Sequence, residues 1–334
     1  MAKTTEQVRN IPDTDINEFE IVPNSKLRHV HIFLNNITYR NFHFHNEIEI
    51  FAVIRGNAII RRSNGITNVS AGSIVVFNAN EVHEINAGTG VDVVICQLSN
   101  HFADTYFPQL RNTVFSTEDI RTLMSEEKFR GLWQRIISAA ECYIRSENLF
   151  ELHCVAEVCL LLEQLLGNTP NSVINDTDYI ARRKISRRME RLYAYIDENY
   201  RYPIRLTEVA EAEGITPTHL SHFFTENFGV SFQQYLNNIR FEHAVRLMDN
   251  RMMSLSDIAA ASGFSDLKYM TRMFVQRFGC KPKEIRDKLG SGLPGQLVSS
   301  PGALEYQYSP QESMLLLREF EDSFFPKVRT AAQQ

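Results

Sequence analysis

IRLTEVAEAEGITPTHLSHFFTENFG, residues 204–229, is written a second time as SLSDIAAASGFSDLKYMTRMFVQRFG, residues 254–279. Leu206, Val209, Ala210, Gly214 and Ile215 recur 49 residues later as Leu255, Ile258, Ala259, Gly263 and Phe264. Leu220, Phe224, Phe228 and Gly229 recur 50 residues later as Met270, Phe274, Phe278 and Gly279. Each copy sets a small residue (Ala210, Ala259) where two helices approach closely, and a glycine (Gly214, Gly263) at a turn that needs φ > 0. The chain therefore reads as two helix-turn-helix units. In the first, Leu206–Glu213 is the supporting helix, and Thr216 and Pro217 supply an N-cap and a proline at the first position of the next helix. Leu220 and Phe224, four apart, face inward. That leaves Thr218, Ser221, His222 and Thr225, together with His219, as candidate DNA contacts. In the second unit Met270 and Phe274 take the inward places, so Lys268, Thr271 and Arg272 face out, with Ser265 or Asp266 at the helix start. Such short or flexible polar groups suit base edges and phosphates.

At 334 residues the chain has room for two domains, and a hydrophobic share of 43% belongs to a protein with packed cores rather than a disordered one. The net charge of −5 argues against nucleic acid as a partner, yet it averages over two unlike parts. Residues 180–289 hold 18 Lys and Arg against 13 Asp and Glu, while the remainder holds 17 against 27. The basic part is the part with the repeat, as DNA binding requires. The five cysteines (Cys96, Cys142, Cys154, Cys159, Cys280) show no metal-ligand spacing, and their odd number fits reduced thiols, with Cys154 and Cys159 packed in an apolar helix. The opening MAKTTEQVRNIPDTD has no apolar signal core, and no run approaches the ~18 apolar residues of a membrane span. The expectation is a soluble, cytoplasmic protein with no membrane partner.

From Val30 to Gln97 the text is β-like: HVHIFLNNITYR, EIEIFAVIRG, NAIIRRSN, GSIVVFNA and VDVVICQL are short β-branched runs. Turn signals such as Ser63-Asn64-Gly65 and Gly88-Thr89-Gly90 separate them. The pattern predicts an all-β sandwich or barrel. From about Ser125 the periodicity turns helical, in LWQRIISAAECYI and LFELHCVAEVCLLLEQLLG. The second helix is apolar around much of its circumference, which marks a helix–helix dimer seam. Residues 168–182 are polar and breaker-rich and read as an interdomain linker. GSGLPGQLVSSPG after Leu289 reads as a second flexible stretch, followed by an amphipathic piece near Glu312–Phe325.

The stretch from about Ile185 to Leu289 closely resembles the DNA-binding domain of AraC-type (AraC/XylS) transcription regulators. The residues that carry the resemblance are IRLTEVAEAEGITPTHLSHFFTENFGVSFQQYLNNIRFEHAVRLM and SLSDIAAASGFSDLKYMTRMFVQRFGCKPKEIR. It implies seven helices, with Asn237–Met248 bridging two subdomains that enter successive major-groove segments on one face of the DNA. By position, His222 and Arg272 occupy equivalent places on the two recognition helices, as do Thr218 and Lys268. His222 stands where arginine is common in the family. A neutral histidine accepts as well as donates, whereas Arg272 can pair bidentately with guanine.

His43, His45 and Glu49, followed by Gly56, fit the first cupin motif, H-x-H-x3-E-x6-G. Gly72, Asn78, Asn80 and His83 partly fit the second, in which proline and glycine occupy the two asparagine positions. In one strand His43, His45, Glu47 and Glu49 share a face, and His83 joins them from a later strand. Two interpretations stay open. Three imidazoles and a carboxylate make a chemically sensible divalent transition-metal site at His43, His45, Glu49 and His83, and a metal with open positions supports enzymatic chemistry. The attached DNA domain favours the other: the signature of an AraC-type sensor barrel that binds a small effector with no metal, no cofactor and no catalytic residue. In that case Arg40, His43, His45, Glu49 and His83 are the effector-binding residues. Arg55, Arg61 and Arg62, like Arg40, otherwise read as solvated strand ends.

The plan read from the sequence is an all-β cupin-like effector-sensing barrel over 1–120 and a helical dimerisation segment over 121–167. A linker over 168–182 leads to an all-α double helix-turn-helix domain over 183–289, and an extension of unread role fills 290–334. The implied function is a ligand-responsive, sequence-specific transcription regulator, an activator. It works as a homodimer on double-stranded promoter DNA with RNA polymerase and answers to a small polar metabolite, a carbohydrate by family analogy. The alternative is a metal-dependent cupin enzyme with a helical appendage.

Overall fold

The structure, a computed structural model, describes residues 26–62, 65–116, 118–248, 250–290 and 303–325. Ser63 and Asn64 of the expected turn, residues 291–302 of the expected flexible stretch and the opening read for a signal lie outside the described residues. Six strands come first: β1 (Val30–His43), β2 (Glu47–Arg55), β3 (Asn57–Arg62), β4 (Gly65–Ser70), β5 (Ile74–Phe77) and β6 (His83–Ser99). All their ladders are antiparallel, and β6 is the spine. It pairs with β1 along its length, with β3 near its start and with β2 over its second half, while β4 extends β3 and β5 extends β2.

Alternation along each strand sends side chains to two apolar cores. Phe33, Phe51, Val53, Phe77, Val93 and Ile95 fill one; Ile32, Leu34, Ile50, Val76, Val94 and Cys96 join the other, shared with helices. Burial on both faces explains why these strands read as nearly continuous apolar runs. Gly88-Thr89-Gly90 is not a turn between strands. It lies within β6, where the register passes from Ile37↔Val91 to Tyr39↔Asn86, and Gly88 and Gly90 take φ of +62° and +99°. The glycines serve a bulge in a long strand instead of ending it.

Helices α1 (Glu126–Arg145) and α2 (Phe150–Asn168) cover the second core. Trp133 of α1 is fully buried, its Nε1 donating to the Gly72 carbonyl at 3.0 Å. Cys154 packs in α2 as expected, but Cys159 is exposed, because α2 buries only one side. The stretch 168–182 is ordered by specific bonds rather than left as a linker. Within it Asn171–Val173 (β8) pairs with Thr113–Phe115 (β7), and Ile174 N–H donates to the Asn112 carbonyl at 2.8 Å. The Asn175 side chain then accepts from Asp178 N–H at 2.9 Å and caps α3 (Asp176–Asn199). The polar residues that suggest a linker are strand and cap groups.

Seven helices follow one another from α3: α4 (Leu206–Ala212), α5 (Pro217–Phe228), α6 (Phe232–Leu247), α7 (Leu255–Ala261), α8 (Leu267–Phe278) and α9 (Pro282–Gly290) complete the set. Thr216 caps α5 by accepting from His219 N–H, with Pro217 in the first turn. Ser231 and Ser254 close capping boxes on α6 and α7. The two units have separate cores, and α6 belongs to both: Tyr235, Leu236 and Ile239 pack with Phe224, while Phe241 and Ala244 pack with Met270 and Phe274. Gly214 and Gly263 have φ of +67° and +76°. The second turn is also a close approach, since a Cβ on Gly263 would lie 2.5 Å from the Tyr200 carbonyl oxygen.

The end of the chain returns to the barrel. Ala303–Gln307 (β9) pairs with β1, and α10 (Pro310–Phe324) sets the Phe320 ring 4.4 Å from Trp133. Residues 303–325 of the extension are thus part of the barrel's architecture, closing the edge of β1 that β6 leaves open.

Candidate functional site

Helices α5 and α8 are the second helices of the two repeat units, where the sequence sets its candidate DNA contacts. Thr218, His219, Ser221, His222 and Thr225 are exposed on the first, and Ser265, Asp266, Lys268 and Arg272 at or on the second; Thr271 is half-buried. Asp266 caps α8, accepting from Lys268 N–H at 2.7 Å, and the Thr225 hydroxyl donates to the Ser221 carbonyl at 3.1 Å. The Arg272 guanidinium lies 5.8 Å over the Tyr269 ring, whose hydroxyl accepts from the Asn237 amide at 2.9 Å. Arg272 therefore stands on a platform tied to α6.

The second constellation gathers at one end of the barrel. His43, His45, Glu47 and Glu49 do not share one strand face: β1 ends at His43, residues 44–46 turn the chain, and β2 begins at Glu47. The turn brings His43, His45 and Glu49 together from two strands, and His83 opposes His43 in the β1–β6 ladder. Asn80 N–H donates to the His45 carbonyl at 2.7 Å, and Asn80 takes φ of +63° where the motif carries glycine. One ligand atom from each of His43, His45 and His83 lies within 4.8 Å of the others. Glu49 Oε2 is 3.0 Å from His45 Nε2, and its Oε1 is 3.9 Å from His83 Nε2. Each histidine sets Nδ1 against a backbone carbonyl: Asn41 at 2.7 Å for His43, Glu47 at 3.0 Å for His45 and Glu81 at 2.9 Å for His83. Glu47 itself is only half-buried.

Burial, then the charges of Arg40 and His45, hold the His43 imidazole well below its ordinary range, and burial with His43 does the same to His83. Burial works to raise the Glu49 carboxyl, but His45, His83 and Arg40 outweigh it and hold the group at about 2. Arg40 acts through its field; its guanidinium pairs with the buried Glu305 of β9 at 3.7 Å. Arg40 and Arg62 are thus buried rather than solvated strand ends, Arg62 donating to Thr67 at 2.6 Å, whereas Arg55 is exposed and Arg61 half-buried, pairing with Asp92 and Glu84.

Sequence reasoning missed the residues that join these two places. Asn41 donates to Glu242 of α6, and Phe44 sets its ring 6.2 Å from Phe228 at the end of α5. Tyr39 meets Phe278 at the end of α8, ring to ring at 6.0 Å, and donates to Glu84 at 2.9 Å. Glu84 in turn accepts from Arg277 of α8 at 3.0 Å and from Arg61 at 2.8 Å. One segment, Tyr39–Phe44 at the end of β1 and into the turn after it, therefore grips the C-terminal ends of α5 and α8, leaving their N-terminal halves exposed. No local pattern marks these residues, because each reads as an ordinary strand or helix position until the domains dock.

A family model described as an AraC-like ligand binding domain matches residues 31–105, and one described as a helix-turn-helix domain matches residues 209–288. An uncharacterized HTH-type transcriptional regulator of Staphylococcus aureus is 26% identical over 278 residues, 82% of this chain and 35% of that protein. The chain thus spans about a third of the length of the first curated relatives it matches. The HTH-type transcriptional regulator YijO of Escherichia coli is 36% identical over 104 residues, 31% of this chain and 37% of its own. Among solved structures, ToxT from Vibrio cholerae with bound unsaturated fatty acid aligns over 77% of this chain and 94% of its own, at 17% identity and a TM-score of 0.40. Among the described residues no helix is long and apolar enough to cross a membrane. The barrel thus matches an AraC-like ligand binding domain, and the duplicated helices match a helix-turn-helix domain.

Proposed function

We propose that the protein is a ligand-responsive regulator that reads promoter DNA with α5 and α8. In this reading Thr218, His219, Ser221, His222 and Thr225 contact one major-groove segment, and Ser265, Asp266, Lys268, Thr271 and Arg272 the next. The observation that carries it is the exposed pair Lys268 and Arg272 on α8, at the places where α5 offers Thr218 and His222. The α8 unit then supplies more phosphate attraction and the guanine contact, and the α5 unit a softer readout. The effector is a small polar molecule, with carbohydrates the class to test first, engaged at the barrel end by Arg40, His43, His45, Glu49 and His83. It switches DNA binding only as far as its affinity differs between two arrangements of barrel and recognition helices.

Two copies pair through α2, whose Leu152, Val155 and Cys159 are exposed at three- and four-residue spacing along one side. The dimer activates transcription by engaging RNA polymerase. Footprinting of the purified chain on genomic DNA, with and without a sugar panel, tests the reading. Discrete protected sites whose occupancy changes with one sugar are expected; sequence-indifferent binding would contradict it.

A further inference from the structure

A carbonyl oxygen only accepts, so the three backbone carbonyls facing Nδ1 of His43, His45 and His83 place a proton on each Nδ1. In the neutral rings of His43 and His83 the Nε2 atoms then carry lone pairs, whereas His45 Nε2 donates to Glu49 Oε2 at 3.0 Å and gives up that proton when an ion binds. Those of His43 and His83 are buried and have no hydrogen-bond donor among the described residues, and neither has Glu49 Oε1. The lone pairs of His43 and His83 and the Oε1 of Glu49 thus converge beside the His45–Glu49 contact, although Glu49 and His83 are 1% and 0% exposed. Buried acceptors without a donor are costly, and a cation relieves the cost. Imidazole held by a backbone carbonyl through its other nitrogen is also how metal-ligating histidines are oriented. Phe77 stacks on His83 at 3.8 Å and fixes that ring's plane.

We propose that Nε2 of His43, His45 and His83, with the Glu49 carboxylate beside them, binds a divalent first-row transition metal whose occupancy sets how the barrel grips the two recognition helices. The ligand types suit zinc, iron or nickel, and a small inward rotation of the rings closes the 4.8 Å spread onto one ion. The ion leaves coordination positions for an oxygen of a polar effector, so the inference rests on the barrel being the sensor and deepens that reading. The route to the DNA-binding helices is short, from the cluster to its chain neighbours and from these across single contacts. His43 and His45 flank Phe44, which meets Phe228 of α5; His83 adjoins Glu84, which holds Arg277 of α8; Asn41, whose carbonyl holds His43, donates through its side chain to Glu242 of α6. Drawing the three rings onto an ion shifts the residues that clamp both recognition helices, and these must keep a fixed separation to read two groove segments.

The test uses the full chain, stripped with a chelator and titrated with zinc, with elemental analysis for stoichiometry and calorimetry for affinity. The same preparations are assayed for affinity to a footprinted DNA site. One zinc per chain is expected, with affinity lowered at least about tenfold in His43→Gln and in His83→Gln, and a zinc-dependent change in wild-type DNA affinity of about 5–150-fold that both variants lose. Should either variant fail to fold by circular dichroism, cobalt replaces zinc in the wild type, where visible bands of a nitrogen–oxygen site, displaced by zinc, are expected. Substoichiometric zinc, equal affinity in folded variants, or cobalt without such bands overturns the site. Stoichiometric zinc that leaves DNA affinity unmoved overturns its coupling to the recognition helices. If no form prefers any DNA sequence, the regulator reading fails instead, and zinc stoichiometry still decides the site.

Discussion

Arg272 carries the most specific chemistry on the proposed DNA-reading face. Its guanidinium is exposed on α8 and braced over Tyr269, and its fork matches O6 and N7 of guanine. Arg272→Ala is expected to weaken binding to a specific site by about 1–3 kcal/mol with no change in the thermal midpoint, because the group supports no core; titrations against specific and scrambled DNA check both. Lys268→Ala is expected to weaken all DNA alike and to reduce the salt slope by about 1. The turn glycines separate backbone strain from packing. Gly214→Ala meets nothing within 4 Å and costs only the left-handed backbone, about 1–2 kcal/mol. Gly263→Ala adds a Cβ 2.5 Å from the Tyr200 carbonyl oxygen, and urea unfolding is expected to show at least about 1 kcal/mol of further loss.

The decisive element is β1, because one strand serves the barrel, the histidine cluster and the recognition helices. Its bond to α6 has a pH signature. Burial raises the Glu242 carboxyl to about 8, against the opposing pull of Asn41 and Arg246. The folded chain therefore keeps a proton that the unfolded chain, at the ordinary 4.5, gives up. The stability from this group is full below the unfolded value and is lost as pH rises to about 8, by up to about 1.4 kcal/mol per pH unit. Urea unfolding across that window is expected to show this fall in the wild type, and a flatter profile in Glu242→Gln. How much of this was legible depends on range. The caps at Thr216 and the turns at Gly214 and Gly263 follow rules that act over three or four residues, and the sequence displays them. The spacing of His43, His45, Glu49 and His83 foretells their convergence but not its route, because Phe44, His45 and Asn46 turn the chain without glycine or proline. Asn41 with Glu242 and Glu84 with Arg277 join positions 201 and 193 residues apart, and only docking gives them a role.

Across the whole molecule the chain runs out from the barrel through the DNA-binding helices and back to it, since β9 and α10 pack where β1 and α1 began. That return path was illegible for the same reason of range: Glu305 is an ordinary strand residue until Arg40 meets it. The returning segment completes the barrel while the basic stretch 180–289 carries the face proposed to read DNA, so net charge alone is a poor guide to that partner. Binding should weaken steeply with salt, as phosphate contacts release counterions. The most direct test of the central claim, that α5 and α8 read DNA as one rigidly spaced pair, is a footprint of the full chain on its selected genomic sites. Two protected major-groove segments on one face, about 10–10.5 base pairs apart, are expected, the α8 segment alone losing protection in Arg272→Ala. A single protected segment, or protection without sequence preference, would contradict it.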